Sequence, residues 1–192
     1  GVDTGCACCA PGGGGAVGAA LGYCGGGRGV VDVVDMPIKC PVEPLEFCFL
    51  ADWYFHERGI RDRVELTYVT PRDGAFTKPV ASASLAGMLA EKSVALVTEF
   101  NTGEVDGAGG RLVSYDGREV GFDLAVVVPL HTGAPYVGRS PGLRDARNSV
   151  PTYDPPLPSE ATPTPLVLRD HPHRPSPTAG PVTPLPRRAP RG

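Results

Sequence analysis

The sequence lacks several features that would assign the protein to common functional classes. It has no apolar run approaching the roughly 18 residues that a membrane-spanning helix needs. Its net charge of −3 argues against a protein that coats nucleic acid. No charged segment followed by an apolar one opens the chain, so we expect no signal peptide. We also expect a fragment of a longer protein, because the first residue is Gly rather than Met.

Glycine and proline are unevenly distributed along the 192 residues. Residues 1–29 hold 12 of the 26 glycines, and residues 151–192 hold 13 of the 22 prolines. Such composition is typical of low-complexity or extended chain rather than of a packed core. We therefore predict a Gly-rich, degraded or low-complexity head over 1–29, a folded domain over 30–143, and a disordered, Pro-rich extended tail over 144–192.

The central part alternates strand-like and helix-like segments. Apolar runs predict strands at 30–34, 64–70, 94–97 and 124–129, and longer apolar segments predict helices at 43–58 and 82–92. Apolar residues surround the first of these helices, which predicts that it is largely buried. Asp116-Gly117 between two short runs predicts a β-hairpin over 111–122. Helices between successive strands imply a parallel sheet, so we predict an α/β, Rossmann-like fold with crossover helices and a β-hairpin.

Residues 13–18 read Gly-Gly-Gly-Ala-Val-Gly and match the G-x-G-x-x-G pattern of dinucleotide-binding loops, with Asp35 about twenty residues farther on. No apolar strand precedes the match, and the match lies in a Gly-rich tract. Two interpretations therefore stay open, a nucleotide-binding loop or low-complexity sequence. The loop that follows the first predicted strand, residues 34–42, contains no glycine that would admit a pyrophosphate.

Six cysteines stand at positions 6, 8, 9, 24, 40 and 48, and their spacing does not predict a metal site. Cys40 lies between a predicted strand and a predicted helix, next to Lys39. The helix N-terminus and the lysine both favour a thiolate, so Cys40 is a candidate nucleophile or redox thiol. The alternative is an inert cysteine in a tight turn. Cys48 lies inside the apolar helix, where we expect it to pack in the core.

Four segments carry a resemblance to a known family. They are Met-Pro-Ile-Lys-Cys-Pro at 36–41, Ala-Asp-Trp-Tyr-Phe at 51–55, Gly-Ile-Arg-Asp-Arg-Val at 59–64 and Phe-Asp-Leu-Ala-Val-Val-Val-Pro-Leu-His at 122–131. On these motifs the chain resembles the sulfide:quinone oxidoreductases and flavocytochrome c sulfide dehydrogenases, which are FAD-dependent pyridine nucleotide-disulfide oxidoreductases. The resemblance covers residues 30–143 and implies the fold of the FAD/NAD(P)-binding superfamily. It also implies that the chain is the middle part of a longer enzyme.

The resemblance implies a reaction and a set of site residues. In the family, sulfide or another small sulfur substrate reacts at a redox cysteine, two electrons pass to FAD, and FAD reduces a quinone. The redox-cysteine motif matches at Cys40. Pro129 and His131 match the family's strand and active-site loop, and Asp170 matches a flavin-contacting aspartate, although Arg169 stands where the family has glycine. The implied location is the cytoplasm or the membrane periphery, and no nucleic acid is involved.

Two other functions stay open. The chain is alternatively a nucleotide-binding module that uses residues 13–18, or a structural fragment without activity of its own.

His131 is either part of a proton relay or an ordinary surface-loop histidine. Arg61, Asp62 and Arg63 predict a solvent-exposed charged turn.

Overall fold

The structure is a computed structural model and describes residues 13–133, 135–140, 142, 145–146, 148–151 and 172–173. The cysteines at 6, 8 and 9, most of the predicted Pro-rich tail and Asp170 lie outside the described residues. The described chain forms two compact units. The first holds residues 13–36 and 41–130, and the second holds residues 37–40 and the described residues from 131 onward.

Helices and strands alternate along the first unit. In order, its elements are α1 Gly13–Tyr23, β1 Gly27–Val33, α2 Glu43–Glu57, β2 Val64–Val69, α3 Pro79–Glu91, β3 Val94–Val97, β4 Thr102–Asp106, β5 Arg111–Ser114, β6 Glu119–Gly121 and β7 Leu124–Val128. A 3-10 turn, Arg61–Arg63, precedes β2. The second unit contains the short helix α4 Pro135–Gly138 and the paired two-residue strands β8 Val150–Pro151 and β9 Pro172–His173.

Four parallel strands form one sheet in the order β3-β2-β1-β7. The central strand β1 pairs with β2 from Gly27 to Asp32 and with β7 from Gly29 to Val33. Residues 29–33 are all buried, which explains why this strand reads as a nearly continuous apolar run. The predicted α/β fold, with a parallel sheet and crossover helices, is confirmed.

The helix α2 begins at Glu43, as predicted, and ends one residue earlier than expected. Pro44 occupies its first turn, where a missing N–H leaves no hydrogen bond unmade, and the negative charge of Glu43 suits the positive helix end. The prediction that this helix is largely buried is wrong, because Leu50 is 62% exposed and Trp53 is 58% exposed. The helix packs on β1 and β2 with one face, so its other face remains in solvent.

A cluster of ion pairs joins α2 to the 3-10 turn and to the residue after α3. Asp52, whose side chain is 1% exposed, accepts hydrogen bonds from Arg61 Nε at 2.7 Å and from Lys92 Nζ at 2.7 Å. Arg61 also donates to the main-chain oxygen of Lys92 at 2.6 Å. The predicted solvent-exposed turn is therefore wrong for Arg61, because Asp52 provides a buried counter-charge. Asp62 and Arg63 are exposed as expected.

The strands β4, β5 and β6 form a separate antiparallel sheet. The predicted hairpin is confirmed, since β5 and β6 are joined through Gly117, whose φ of +85° suits a residue without Cβ. The strand β4 is not predicted from the sequence, because only Thr102 among its residues is buried and no apolar alternation marks it. Buried side chains of this sheet, of the parallel sheet and of the segments that connect their strands share one core cluster: Val30, Val69, Phe100, Leu112, Phe122 and Ala125.

Candidate functional site

The order of the parallel strands reverses between β1 and β7. From β1 the chain continues to β2 and β3 on one side, whereas β7 lies on the other side of β1. In open parallel sheets, ligands bind beyond the carboxyl ends of the strands at such a reversal. The segment that follows β1 contains Cys40, and the segment that follows β7 contains Pro129 and His131. The candidate residues Cys40, Pro129 and His131 therefore follow, along the chain, the two strands between which the strand order reverses.

Lys39 and His131 are joined by a hydrogen bond within the second unit. The main-chain N–H of Lys39 donates to Nδ1 of His131 at 2.8 Å, although the two residues lie 92 positions apart in the sequence. His131 is half-buried and Lys39 is exposed. The bond ties the residue before Cys40 to the loop that follows β7. Cys40 and His131 therefore belong to one local structure.

The described cysteines at 24, 40 and 48 are free thiols in different surroundings. Cys48 is 1% exposed, and burial raises the pKa of its thiol to about 12. It therefore packs in the core, as predicted, and provides no thiolate at neutral pH. Cys24 is half-buried, and its Sγ donates to the main-chain oxygen of Gly26 at 3.7 Å. Cys40 is also half-buried and lies outside any helix or strand, three residues before α2 in the chain.

The structure describes only some of the residues that the sequence assigns to cofactor binding. Pro129 directly follows β7 and is exposed, whereas Asp170 lies outside the described residues. Residues 13–18 are all helical within α1, so they do not form the loop that a dinucleotide fingerprint requires. Residues 34–42 contain no glycine either. The described residues therefore do not fit the pyrophosphate of FAD or of a nicotinamide dinucleotide.

Asp32 is a buried acid that the sequence analysis does not single out. It lies in β1 and is 0% exposed. Thr102 Oγ1 donates to its Oδ1 at 2.9 Å, and its Oδ2 has no hydrogen-bond partner among the described residues. Burial raises the pKa of this carboxyl from 3.8 to about 7, and the hydrogen bond from Thr102 opposes part of that rise. An acid in the middle of Val-Val-Asp-Val-Val is the signal that could have identified it.

In the ranges that the structure describes, no group of three or more His, Cys, Asp or Glu side chains is placed to hold a metal ion. None of the helices described combines the length and apolar character that crossing a bilayer requires.

No family model matches the chain, and no curated protein matches it. Among solved structures, the sulfide:quinone oxidoreductase from the hyperthermophilic bacterium Aquifex aeolicus superposes with a TM-score of 0.63 and 17% identity over 78% of this chain. The NAD-dependent persulfide reductase from A. fulgidus superposes with a TM-score of 0.57 and 12% identity over 82% of this chain. Putidaredoxin reductase, in covalent complex with putidaredoxin, superposes with a TM-score of 0.51 and 16% identity over 72% of this chain.

These similarities concern the fold. The matched regions make up 37%, 27% and 31% of the three solved chains, so this chain spans well under half the length of each protein. The chain therefore shares the fold of one part of these reductases.

Proposed function

We propose that this chain is part of an FAD-dependent oxidoreductase of the sulfide:quinone oxidoreductase type. The complete enzyme oxidises sulfide or another small sulfur compound and reduces a quinone at a membrane surface, and Cys40 is its redox thiol. The fold shared with a sulfide:quinone oxidoreductase and a persulfide reductase supports a sulfur-handling enzyme. Because the chain spans only part of those proteins, the activity belongs to the whole enzyme, and we expect no turnover from this chain alone.

The hydrogen bond between Lys39 and His131 is the observation that carries the proposal. The segments that contain these residues follow β1 and β7, the strands at which the order of the sheet reverses. The bond joins them and leaves Cys40 half-buried one residue away. A half-buried thiol in this position is open to a small anion such as HS⁻, as a redox cysteine requires.

The role of FAD is separate from the role of this chain's own residues. The described residues hold no loop for the FAD pyrophosphate, so we attribute cofactor binding mainly to the regions of the relatives that this chain does not cover. Pro129, His131 and Asp170 remain proposed contacts of the cofactor in the complete enzyme. For this chain, the proposal is that the Cys40 sulfur forms the bond to the substrate sulfur.

Capture of sulfide by Cys40 tests this proposal without the flavin. The folded chain is first treated with an activated aromatic disulfide, which converts each accessible thiol into a mixed disulfide. Added HS⁻ then attacks the Cys40 sulfur, a new sulfur–sulfur bond forms, and the aromatic thiolate leaves with the electron pair of the broken bond. The product is a Cys40 persulfide, about 32 Da heavier than the thiol, which peptide mass spectrometry locates.

Cys24 provides the matched control, because it is also a half-buried free thiol. We expect the persulfide to form about tenfold faster at Cys40 than at Cys24, because the proposed function requires HS⁻ to attack the Cys40 sulfur. The Cys40→Ser chain should form none at that position. Equal rates at the two cysteines would contradict the proposal. Release of the plain Cys40 thiol would also contradict it, because HS⁻ would then have attacked the aromatic sulfur instead.

A further inference from the structure

The main chain around Cys40 has few hydrogen-bond donors. Pro37 and Pro41 carry no N–H, so only three amides lie between them. One of these, the amide of Lys39, donates to Nδ1 of His131 at 2.8 Å. A side chain 92 positions away in the sequence therefore satisfies this donor. Tertiary structure, rather than a local turn, holds the backbone next to the thiol.

The hydrogen bond depends on the protonation of one nitrogen of His131, Nδ1. Nδ1 accepts a bond from an N–H group, so it presents a lone pair and carries no proton of its own. An imidazolium ring has a proton on both nitrogens and has no acceptor to offer. This hydrogen bond therefore forms only while Nδ1 of His131 carries no proton.

We propose that His131 is a positioning residue for Cys40, because its Nδ1 holds the Lys39 amide and thereby fixes the backbone that presents the thiol. The catalytic meaning of this inference rests on the proposed function of Cys40. The structural part of it, a side chain that restrains the thiol, stands on the hydrogen bond alone.

Three restraints act on the backbone of this segment. Pro41 restricts Cys40, the residue before it, to extended conformations. Pro37 has a fixed φ at the other end of the segment. Lys39 has no comparable restraint from its own covalent structure, and the hydrogen bond to His131 provides one. Loss of this bond frees the backbone immediately before the thiol.

Two substitutions at His131 compare a hydrogen-bond acceptor at the position of Nδ1 with an acceptor at a different position. In His131→Asn, the side-chain Oδ1 takes the place of Nδ1 and accepts the same hydrogen bond. In His131→Gln, the corresponding oxygen lies one bond farther from the backbone, at the place of Nε2. Both side chains are neutral amides, so the difference between the two variants reports the position of the acceptor.

The experiment measures hydrogen exchange at the Lys39 amide and alkylation of the Cys40 thiol. In the Gln variant, the Lys39 amide should exchange with deuterium about fivefold to tenfold faster, as the loss of one hydrogen bond requires. Iodoacetamide should alkylate Cys40 faster by a similar factor, because the freed thiol becomes more exposed. The Asn variant should behave like the parent chain in both respects. Cys24 serves as the internal control, and the absence of label on the buried Cys48 shows that the core is folded.

Two results would overturn the proposal. If the Asn and Gln variants behave alike, the acceptor at the Nδ1 position is not what restrains the segment. If exchange at Lys39 accelerates while alkylation of Cys40 is unchanged, the bond does not position the thiol. Neither measurement uses sulfide. Failure of sulfide capture at Cys40 would therefore contradict the proposed function. The exchange rate of the Lys39 amide and the alkylation rate of Cys40 would still test the positioning role of His131.

Discussion

Asp32 and Asp52 are both hidden from solvent, yet their carboxyl groups have opposite electrostatic environments. Asp32 in β1 receives one hydrogen bond, from Thr102, and its second oxygen has no partner among the described residues. Burial raises its pKa to about 7. Burial acts in the same direction on the pKa of Asp52 in α2, but the hydrogen bonds and charges of Lys92 and Arg61 outweigh it and lower that pKa.

The difference shows that partners, rather than depth of burial, decide whether a buried carboxyl is ionised. A carboxylate stays ionised in the interior when cations and hydrogen bonds replace its water, as they do at Asp52. Without a cation, burial disfavours the charge and the group keeps its proton to higher pH, as at Asp32. Changes of pH around neutrality should therefore change the protonation of Asp32 and leave the carboxyl of Asp52 ionised.

Breaking the ion cluster at Asp52 should have the largest effect. In Asp52→Asn the counter-charge of Arg61 is lost, and the guanidinium remains with a side chain only 10% exposed. We expect the free energy of unfolding to fall by about 3 kcal/mol, which urea denaturation at neutral pH measures. Asp62→Asn, at an exposed acid of the same turn, should change it little. Similar small losses in both variants would show that Asp52 does not stabilise the fold.

Asp32→Asn should have the next largest effect, with a sign that depends on pH. The pKa of about 7 in the folded chain lies above the ordinary 3.8, so the folded state binds this proton more tightly than the unfolded state. The stability that the proton contributes is complete below about pH 4, is lost as pH rises to about 7, and changes no further above that. An amide does not titrate. The stability difference should therefore shift in favour of the variant by about 2–3 kcal/mol between pH 5 and pH 8.

Urea denaturation of both chains at the two pH values measures this shift, again with Asp62→Asn as the control. A difference between Asp32→Asn and the parent chain that does not vary with pH would show that Asp32 does not titrate in this range. The contrast between the two buried aspartates would then disappear.

Removing the single hydroxyl partner of Asp32 should have a smaller effect. Thr102→Val keeps the shape of the side chain and deletes the donor to Asp32. Because this hydrogen bond lowers the pKa of Asp32, its loss should raise that pKa further. We expect a loss of about 1 kcal/mol at pH 8 and a smaller loss at pH 5, where the carboxyl is protonated. Equal losses at the two pH values would indicate a packing role for the hydroxyl alone.

The smallest effect is expected at the outer partner of Asp52. Lys92 contacts Asp52 at 2.7 Å, but its side chain is 42% exposed, so solvent screens the pair. Lys92→Gln should therefore lower the free energy of unfolding by about 1 kcal/mol or less. Salt titration provides the check, since added salt should reduce this small difference further. A loss as large as that of Asp52→Asn would mean that Lys92, rather than Arg61, is the principal counter-charge.

Apolar runs allowed much of the fold to be predicted. The strand Val94–Val97 has the predicted bounds, and Leu124–Val128 ends one residue before its predicted end at 129. Both runs are short, apolar and bounded by polar or turn residues. The helix α3 begins at Pro79, earlier than predicted, since proline is favourable in a first helical turn. The strand β4 shows no pattern, because most of its side chains face solvent.

The site was less predictable, because its contacts join residues that are distant in sequence. Cys40 and His131 could be singled out, but the bond near them uses a backbone amide that every residue except proline possesses. No side-chain pattern marks which amide will find a partner. Arg61 was assigned to solvent for a similar reason, since its partners Asp52 and Lys92 come from two other segments. Burial of a charge depends on such distant partners, which composition does not reveal.

The pairing of β1 with β7 has a consequence for the nascent chain. Gly29 pairs with Leu124, so one edge of β1 has no partner until about 95 further residues have been synthesised. During that interval residues 30–34 form an exposed, β-prone run of the kind that pairs with other chains. Asp32 is ionised in the unfolded chain at neutral pH, and a charge inside such a run opposes aggregation. The Asp32 carboxyl, whose burial costs free energy in the folded sheet, thus opposes aggregation during synthesis. Its removal would make the nascent chain less soluble and the folded chain more stable.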